Sequence, residues 1–182
     1  MLRVITLNLN GIRSAASKGV FGWLARQKAD VICVQELKAQ DADFPIDDIR
    51  GAGYGAIWHG QKSWNGVAIL SKTGASDPVM AIPDFDDPQK RVLAATINGV
   101  RVVCLYVPNG QSVGSDKYQY KLAWLQATTV WLKNELAANP RMVVVGDFNI
   151  APADIDVHDP KSWAGQVLCS DAEREALRRL MA

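Results

Sequence analysis

The run Val143-Val144-Val145-Gly146-Asp147-Phe148-Asn149 constrains this chain more than any other stretch. Stiff χ1 angles and apolar surface suit the three valines to a pleated, covered position, so they predict a buried strand. Gly146 allows a tight turn or a close approach of the backbone. A carboxylate, an aromatic ring and a carboxamide follow at once, and Pro152 bars a regular continuation. A polar pair at the carboxyl end of a buried strand is where α/β sheets usually place their chemistry. The plain alternative is that Asp147 and Asn149 cap the next turn, as such residues often do. On this run alone the two readings stand level, and the rest of the chain separates them.

At 182 residues, the chain has room for one sizeable core, and a single domain over 1–182 is expected. Hydrophobic content of 48% with 21% charged residues excludes wholesale disorder. A net charge of +1 exerts no global pull on nucleic acid, so any basic surface must be local. The acidic clusters Asp41–Asp48 and Asp84–Asp87 read as solvated loops. Cys33 and Cys104 lie in apolar runs and Cys169 stands apart; this sparse, odd set shows no disulfide framework and fits a reducing cytosol. The amino terminus opens on a strand without a signal peptide's apolar core, and no run is long enough to cross a bilayer. A cytoplasmic, soluble protein is the expectation.

In chain order, Arg3 to Leu9 reads as a strand closed by the Asn10-Gly11 turn. A short helix over Phe21 to Lys28 and the strand Val31 to Val34 follow, the latter ending in Gln35-Glu36. Tyr54 to His59 and Val67 to Leu70 read as strands with Asn65-Gly66 turning between them. Asn98-Gly99 suits a type I′ hairpin joining Arg91–Ile97 to Val100–Val107. Asp116 starts a long helix to Ala138, with an apolar stripe of Tyr118, Leu122, Leu125, Leu132 and Leu136, and Asn139-Pro140 stops it. Trp124 and Trp131, seven residues apart, read as core packing. Ser170 and Glu173 form a capping box for a last helix with Ala176, Leu177 and Leu180 on its apolar face. Strands joined by hairpins favour mixed or antiparallel sheets with helices outside.

Four strand ends carry polar residues without obvious structural need: Asn8, Glu36, Tyr106 with Asn109, and Asp147 with Asn149. Two carboxylates with carboxamides make a hard, oxygen-rich site that suits Mg²⁺ or Mn²⁺ and not zinc. A divalent ion there could stabilise a phosphate's developing charge while a carboxylate or the metal prepares water for attack. No phosphate-binding glycine loop, metal-spaced cysteines or Ser-His-Asp nucleophile motif competes.

These residues also carry a resemblance. Leu7-Asn8-Leu9-Asn10-Gly11-Ile12-Arg13, Gln35-Glu36-Leu37-Lys38, Tyr106-Val107-Pro108-Asn109-Gly110 and Gly146-Asp147-Phe148-Asn149 occur in the order and at the spacing of the exonuclease III type of apurinic/apyrimidinic endonuclease. Phe44-Pro45, His59-Gly60-Gln61-Lys62 and Asn65-Gly66-Val67-Ala68 match the same branch of the endonuclease/exonuclease/phosphatase superfamily. The resemblance implies an α/β (α+β) fold: a four-layer sandwich of two mixed β-sheets flanked by helices. It implies that Asn8, Glu36 and Asp147 hold the metal, that Asp147 orients or deprotonates the attacking water, that Asn149 holds Asp147 and the scissile phosphate, and that Tyr106 donates to a phosphate oxygen. Asn109 would position the phosphate or the abasic sugar, and Asn10 and Lys38 match positions near the metal and the DNA strand. Trp64, Arg91 and Lys121 fall where members of the family touch the DNA backbone. Surface ion pairing is the plain alternative for Arg91 and Lys121, and a packed turn aromatic for Trp64.

The implied activity is Mg²⁺-dependent cleavage of double-stranded DNA 5′ to abasic sites, with 3′→5′ exonuclease and 3′-phosphatase action, by a monomer. Two other readings remain: a superfamily phosphodiesterase acting on phosphoinositides, sphingomyelin or RNA, and a non-catalytic DNA-binding or scaffold remnant. The family's later Asp and its Ser-Asp-His motif have no match; Ser170-Asp171 is followed by Ala172. The histidines are His59, in the His-Gly-Gln-Lys turn and expected to be structural, and His158, expected in a solvated loop. The expectation is therefore a form shortened at its carboxyl end, with an incomplete second sheet and impaired catalysis.

Overall fold

The structure, a computed structural model, describes residues 2–182. The chain divides into two compact units, one built from the residues up to Ile82 with Asp86–Tyr106 and Asn139–Asp147, the other from Pro83–Phe85, Val107–Ala138 and Phe148–Ala182.

The first unit holds two mixed four-stranded sheets. One has the order β1 (Val4–Asn8), β2 (Val31–Gln35), β4 (Val67–Ser71), β3 (Gly55–His59), with β1 parallel to β2 and the other pairs antiparallel. The other has the order β5 (Ala75–Val79), β6 (Val92–Ile97), β7 (Val100–Tyr106), β8 (Met142–Asp147), with only β7 and β8 parallel. Alternate residues of the two sheets meet in one core: Val31, Cys33, Val67 and Ile69 pack with Leu93, Ala95, Ile97, Val102 and Cys104. The opposite face of the first sheet, Ile32, Val34, Ala68 and Leu70, is covered by Ile12, Leu24 and Ile49. Those three come from α1 (Ile12–Ser17), α2 (Val20–Arg26) and α3 (Ile46–Gly51). Covered on both faces, β2 and β4 are buried at every residue, and each reads as four apolar residues closed by a polar one, Gln35 or Ser71. The expected hairpin turn is present, with Asn98 at φ 50° and Gly99 at φ 72°.

Three differences from the sequence expectations have physical causes. β8 is not a fully buried strand: it lies at a sheet edge and every residue is half-buried, although Val143 and Val145 still pack on the core between the sheets. β5 was not expected because Asp77 and Pro78 interrupt it; it is a short, exposed edge strand whose register shifts between Ser76 and Val79. Helices α1 and α3 are only six residues each, too short to show a helical period.

In the second unit, α4 runs Asp116–Ala138 as expected, followed by α5 (Pro160–Trp163) and α6 (Asp171–Met181). The buried stripe of α4 is Tyr118, Lys121, Trp124, Leu125, Thr128, Trp131 and Leu132, so both tryptophans are core. Leu136, expected in that stripe, is 49% exposed. The capping box forms at α6: Glu173 N donates to Ser170 Oγ at 3.3 Å and Ser170 N donates to Glu173 Oε2 at 3.2 Å. Leu177 is buried on the expected face. Among the described residues, no helix is long and apolar enough to cross a membrane.

Candidate active site

Hydrogen bonding of the first sheet continues past its strand ends and gathers three loops. Leu9 N donates to Gln35 O, Gly11 N to Glu36 O and Ile12 N to Leu37 O; Leu37 N and Lys38 N donate in turn to Gly66 O and Asn65 O. The backbone turns sharply to do this: Asn10, Glu36, Lys38 and Asn65 all have φ between 50° and 56°. Left-handed conformations at non-glycine residues cost free energy, and they cluster where a fold over-determines a site. On the second sheet, the parallel pairing of β7 with β8 sets Tyr106 opposite Asp147.

These two arrangements bring Asn8, Glu36, Tyr106 and Asp147 together. Asn8 Nδ2 donates to Glu36 Oε1 at 2.9 Å and to Asp147 Oδ2 at 2.7 Å. Tyr106 OH donates to the same Glu36 Oε1 at 2.9 Å. Lys38 Nζ pairs with Glu36 Oε2 at 2.9 Å and also donates to Asn10 Oδ1. Asn10 N donates to Asn8 Oδ1 at 3.0 Å. Asn8 turns its amide nitrogen toward both carboxylates, while its oxygen accepts from the Asn10 backbone. Its place in this structure is that of a bridge. Two carboxylates converging on one amide form a hard-oxygen donor pair of the kind that fits a divalent cation.

Charge in this cluster is settled by hydrogen bonds. Burial pushes the Glu36 carboxyl up, but hydrogen bonds from Asn8, Lys38 and Tyr106 and the Lys38 ammonium outweigh it, and the net effect is a lowered pKa. Burial, the hydrogen bond to Glu36 and the negative charges of Glu36 and Asp147 push the Tyr106 phenol up to about 12, against a downward pull from Arg91. Tyr106 is thus a hydrogen-bond donor at any working pH, beside two anionic carboxylates.

Arg91 is held inside this unit. Its guanidinium donates through Nε and Nη2 to Gln89 Oε1 at 3.1 and 2.8 Å, and through Nη1 to Tyr106 O at 3.2 Å. It also stacks 4.8 Å from the Tyr106 ring centroid. Asn65 Nδ2 ties Gln89 to Gln61 by donating to both side-chain oxygens. Sequence reasoning missed Gln89 altogether: a lone glutamine in a polar loop carries no spacing or period. Trp64, by contrast, is 69% exposed, with Lys38 Nζ 5.9 Å from its ring centroid, so it is not a packed turn aromatic.

The remaining candidates lie in the second unit. Asn149 Nδ2 donates to Val107 O at 2.9 Å, and Asn109 Oδ1 accepts from Gln111 N at 3.1 Å. Lys121 is neither a surface ion-pair partner nor an exposed contact for a DNA backbone: its side chain is 0% exposed and pairs at 2.5 Å with Glu173, also 0% exposed. Its place in the i, i+3, i+4 pattern of α4 put it on the buried face, and the apolar stripe read from sequence passed over it because it is charged.

Comparison with known proteins identifies the family and the fold. The profile of the Endonuclease/Exonuclease/phosphatase family matches residues 5–170. An exodeoxyribonuclease of Bacillus subtilis is 30% identical over 99% of this chain and 71% of its own length. The structure of the 3′ phosphatase NExo from Neisseria bound to product DNA hairpin is 37% identical with a TM-score of 0.95, covering 100% of this chain and 70% of that one. An AP endonuclease from Archaeoglobus fulgidus is 34% identical with a TM-score of 0.92, again over 100% and 70%. The chain thus spans about 70% of the length of these relatives. With its fold, its four motifs and its profile in register, the chain belongs to the endonuclease/exonuclease/phosphatase family, among the exodeoxyribonuclease III and AP endonuclease hydrolases.

Proposed function

We propose that the chain is a DNA-repair nuclease that hydrolyses phosphodiester bonds of double-stranded DNA 5′ to abasic sites, and that removes nucleotides and phosphate from 3′ ends. The observation that carries this reading is the single Asn8 amide holding Glu36 and Asp147 together beside a protonated Tyr106. The relatives named above add support, since their names describe trimming of DNA ends, 3′-phosphate removal and AP-site cleavage.

Asp147 takes the proton of the attacking water, a role for which a carboxylate at a strand end is suited. Tyr106 donates its O–H to a phosphate oxygen as charge develops there. Asn149 and Asn109 orient the phosphate and the sugar, while Asn10, Lys38, Trp64 and Arg91 line the DNA side. A divalent cation, Mg²⁺ with Mn²⁺ as a substitute, would be held by Glu36 and Asp147 and would supply positive charge against the phosphate. Asn8 keeps those two carboxylates at a fixed separation. Action as a cytoplasmic monomer belongs to the proposal.

The test is a gel assay on a duplex with one synthetic abasic site, with Mg²⁺ or with EDTA, using wild type and Asp147→Ala. Cutting that needs both the metal and Asp147 supports the reading. Binding of the duplex with no cutting under any condition would point instead to the non-catalytic remnant.

A further inference from the structure

The second unit contains a polar cluster that the proposed chemistry does not use. Lys121 Nζ donates to Glu173 Oε1 at 2.5 Å, to Asn149 O at 2.6 Å and to Asn109 O at 3.1 Å, which engages all three of its protons. Glu173 is equally occupied: Oε1 also accepts from Leu168 N at 3.0 Å, and Oε2 accepts from Ser170 N and Ser170 Oγ at 3.2 and 2.6 Å. Tyr118 OH and Ser170 Oγ lie 2.6 Å apart, closing the network between α4 and the start of α6. The aliphatic stem of Lys121 runs against Gly110, where an added Cβ would come within 3.1 Å of Lys121 Cδ.

Removing both charges from water is costly, and well-packed apolar residues in place of a buried pair are often neutral or stabilising. Net stability is therefore a poor reason for this pair. Its geometry shows a better one. Lys121 grips two carbonyls from separate segments, and both segments have unusual backbones: Asn149 at φ 49°, Gly110 at φ 95° and Gln111 at φ 60°. A third grip comes from Asn149 Nδ2 on Val107 O at 2.9 Å.

We infer that Lys121 and Glu173 form a positioning pair: the pair fixes the backbone at Asn109 and Asn149 and so aims their two carboxamides at DNA. This rests on the proposed function, in which those carboxamides meet the substrate. Neither Lys121 nor Glu173 touches DNA; each acts through the loops it holds.

The experiment compares wild type with the double variant Lys121→Met/Glu173→Gln, which removes both charges but keeps a hydrogen-bonding group at the cap of α6. The probe is a fluorescein-labelled DNA hairpin ending in a 3′-phosphate, titrated in EDTA and read by anisotropy. Leu177→Ala, a cavity in the same unit, serves as the control for general loosening. Expected is a double variant that still melts cooperatively, binds the hairpin at least about tenfold more weakly, and exchanges the amides of 107, 109–111 and 149–151 faster. Leu177→Ala lowers the melting temperature but leaves the Kd within about twofold. Should the double variant fail to fold, Glu173→Gln alone carries the same expectation.

Wild-type affinity in the folded variant, or an equal loss in Leu177→Ala, overturns the pair's role and leaves the nuclease reading intact. Wild type that is folded but does not bind the hairpin overturns the nuclease reading and this inference with it.

Discussion

Asn8 Nδ2 donates to Asp147 Oδ2 at 2.7 Å across a separation of 139 residues. That bond links the carboxyl end of β1 in one sheet to the carboxyl end of β8 in the other. With its second bond to Glu36, the amide places a donor between two groups that would otherwise repel. Replacing Asn8 by Ala leaves that repulsion unrelieved. Cleavage of an abasic duplex by Asn8→Ala should fall by about two orders of magnitude, the usual effect of losing one preorganised donor in an active site. Single-turnover rates at saturating enzyme measure this. A rate within a factor of about three of wild type would remove Asn8 from the site.

Gly146 stands immediately before Asp147, and a Cβ there would lie 2.0 Å from the Leu105 carbonyl oxygen and 2.8 Å from its carbon. Its φ of 155° also disfavours a side chain. Backbone, not a flexible side-chain end, meets the new atom, so β7 and β8 must separate just where Tyr106 pairs with Asp147. Gly146→Ala should destabilise the protein by about 1–3 kcal/mol or more in urea unfolding and should lower cleavage as well. Unchanged stability would mean that the close contact relaxes at no cost.

Tyr106 gives a prediction with a defined pH window. Its folded-state value of about 12 lies above the ordinary tyrosine value near 10. A raised acid keeps its proton in the fold, so its stabilising contribution is complete below about pH 10 and is lost as pH rises toward 12. Ultraviolet titration of metal-free protein should show one tyrosinate step near 12 that is missing from Tyr106→Phe. A step for Tyr106 near pH 10 would contradict the burial and the Glu36 hydrogen bond described above.

Glu36 works in the opposite sense. Its lowered value stabilises the metal-free protein above the ordinary carboxyl value and is lost as pH falls through the folded value. Acid unfolding of Glu36→Gln in EDTA should therefore begin from a lower stability at neutral pH and fall less steeply below about pH 4. A steeper fall in the variant than in wild type would show that Glu36 is not held anionic by its neighbours.

Arg91 is held by Gln89 and stacks on Tyr106, which makes Gln89 a support for the phenol through a cation–π contact. Gln89→Leu should free the guanidinium and lower cleavage by about three- to tenfold, in line with a partly desolvated cation–π contact of about 1 kcal/mol. A loss confined to KM, with kcat unchanged, would assign Arg91 to DNA binding alone.

Much of this was legible in the sequence, and the reasons are local. Four motifs at strand ends named Asn8, Glu36, Tyr106 and Asp147, because polar residues that end apolar strands stand out against the pattern. Asn98-Gly99 and the Ser170–Glu173 box were readable because each needs only a few neighbouring residues. What was hidden depends on partners distant in the chain. The edge position of β8 is a matter of pairing, and three valines look alike at an edge or in the middle of a sheet. Lys121 falls on the buried face of α4, and its charge is met there by Glu173, 52 residues later. Gln89 matters only through Arg91 and Asn65.

The central claim is that Glu36 and Asp147, bridged by Asn8, form a hydrolytic centre. Single-turnover cleavage of an abasic-site duplex in Mg²⁺ by wild type and Asp147→Ala tests it most directly, with circular dichroism showing that both are folded. The account predicts EDTA-sensitive cutting by wild type and a loss of at least about a hundredfold in Asp147→Ala. Equal cutting by the two proteins, or cutting that survives EDTA, would contradict it.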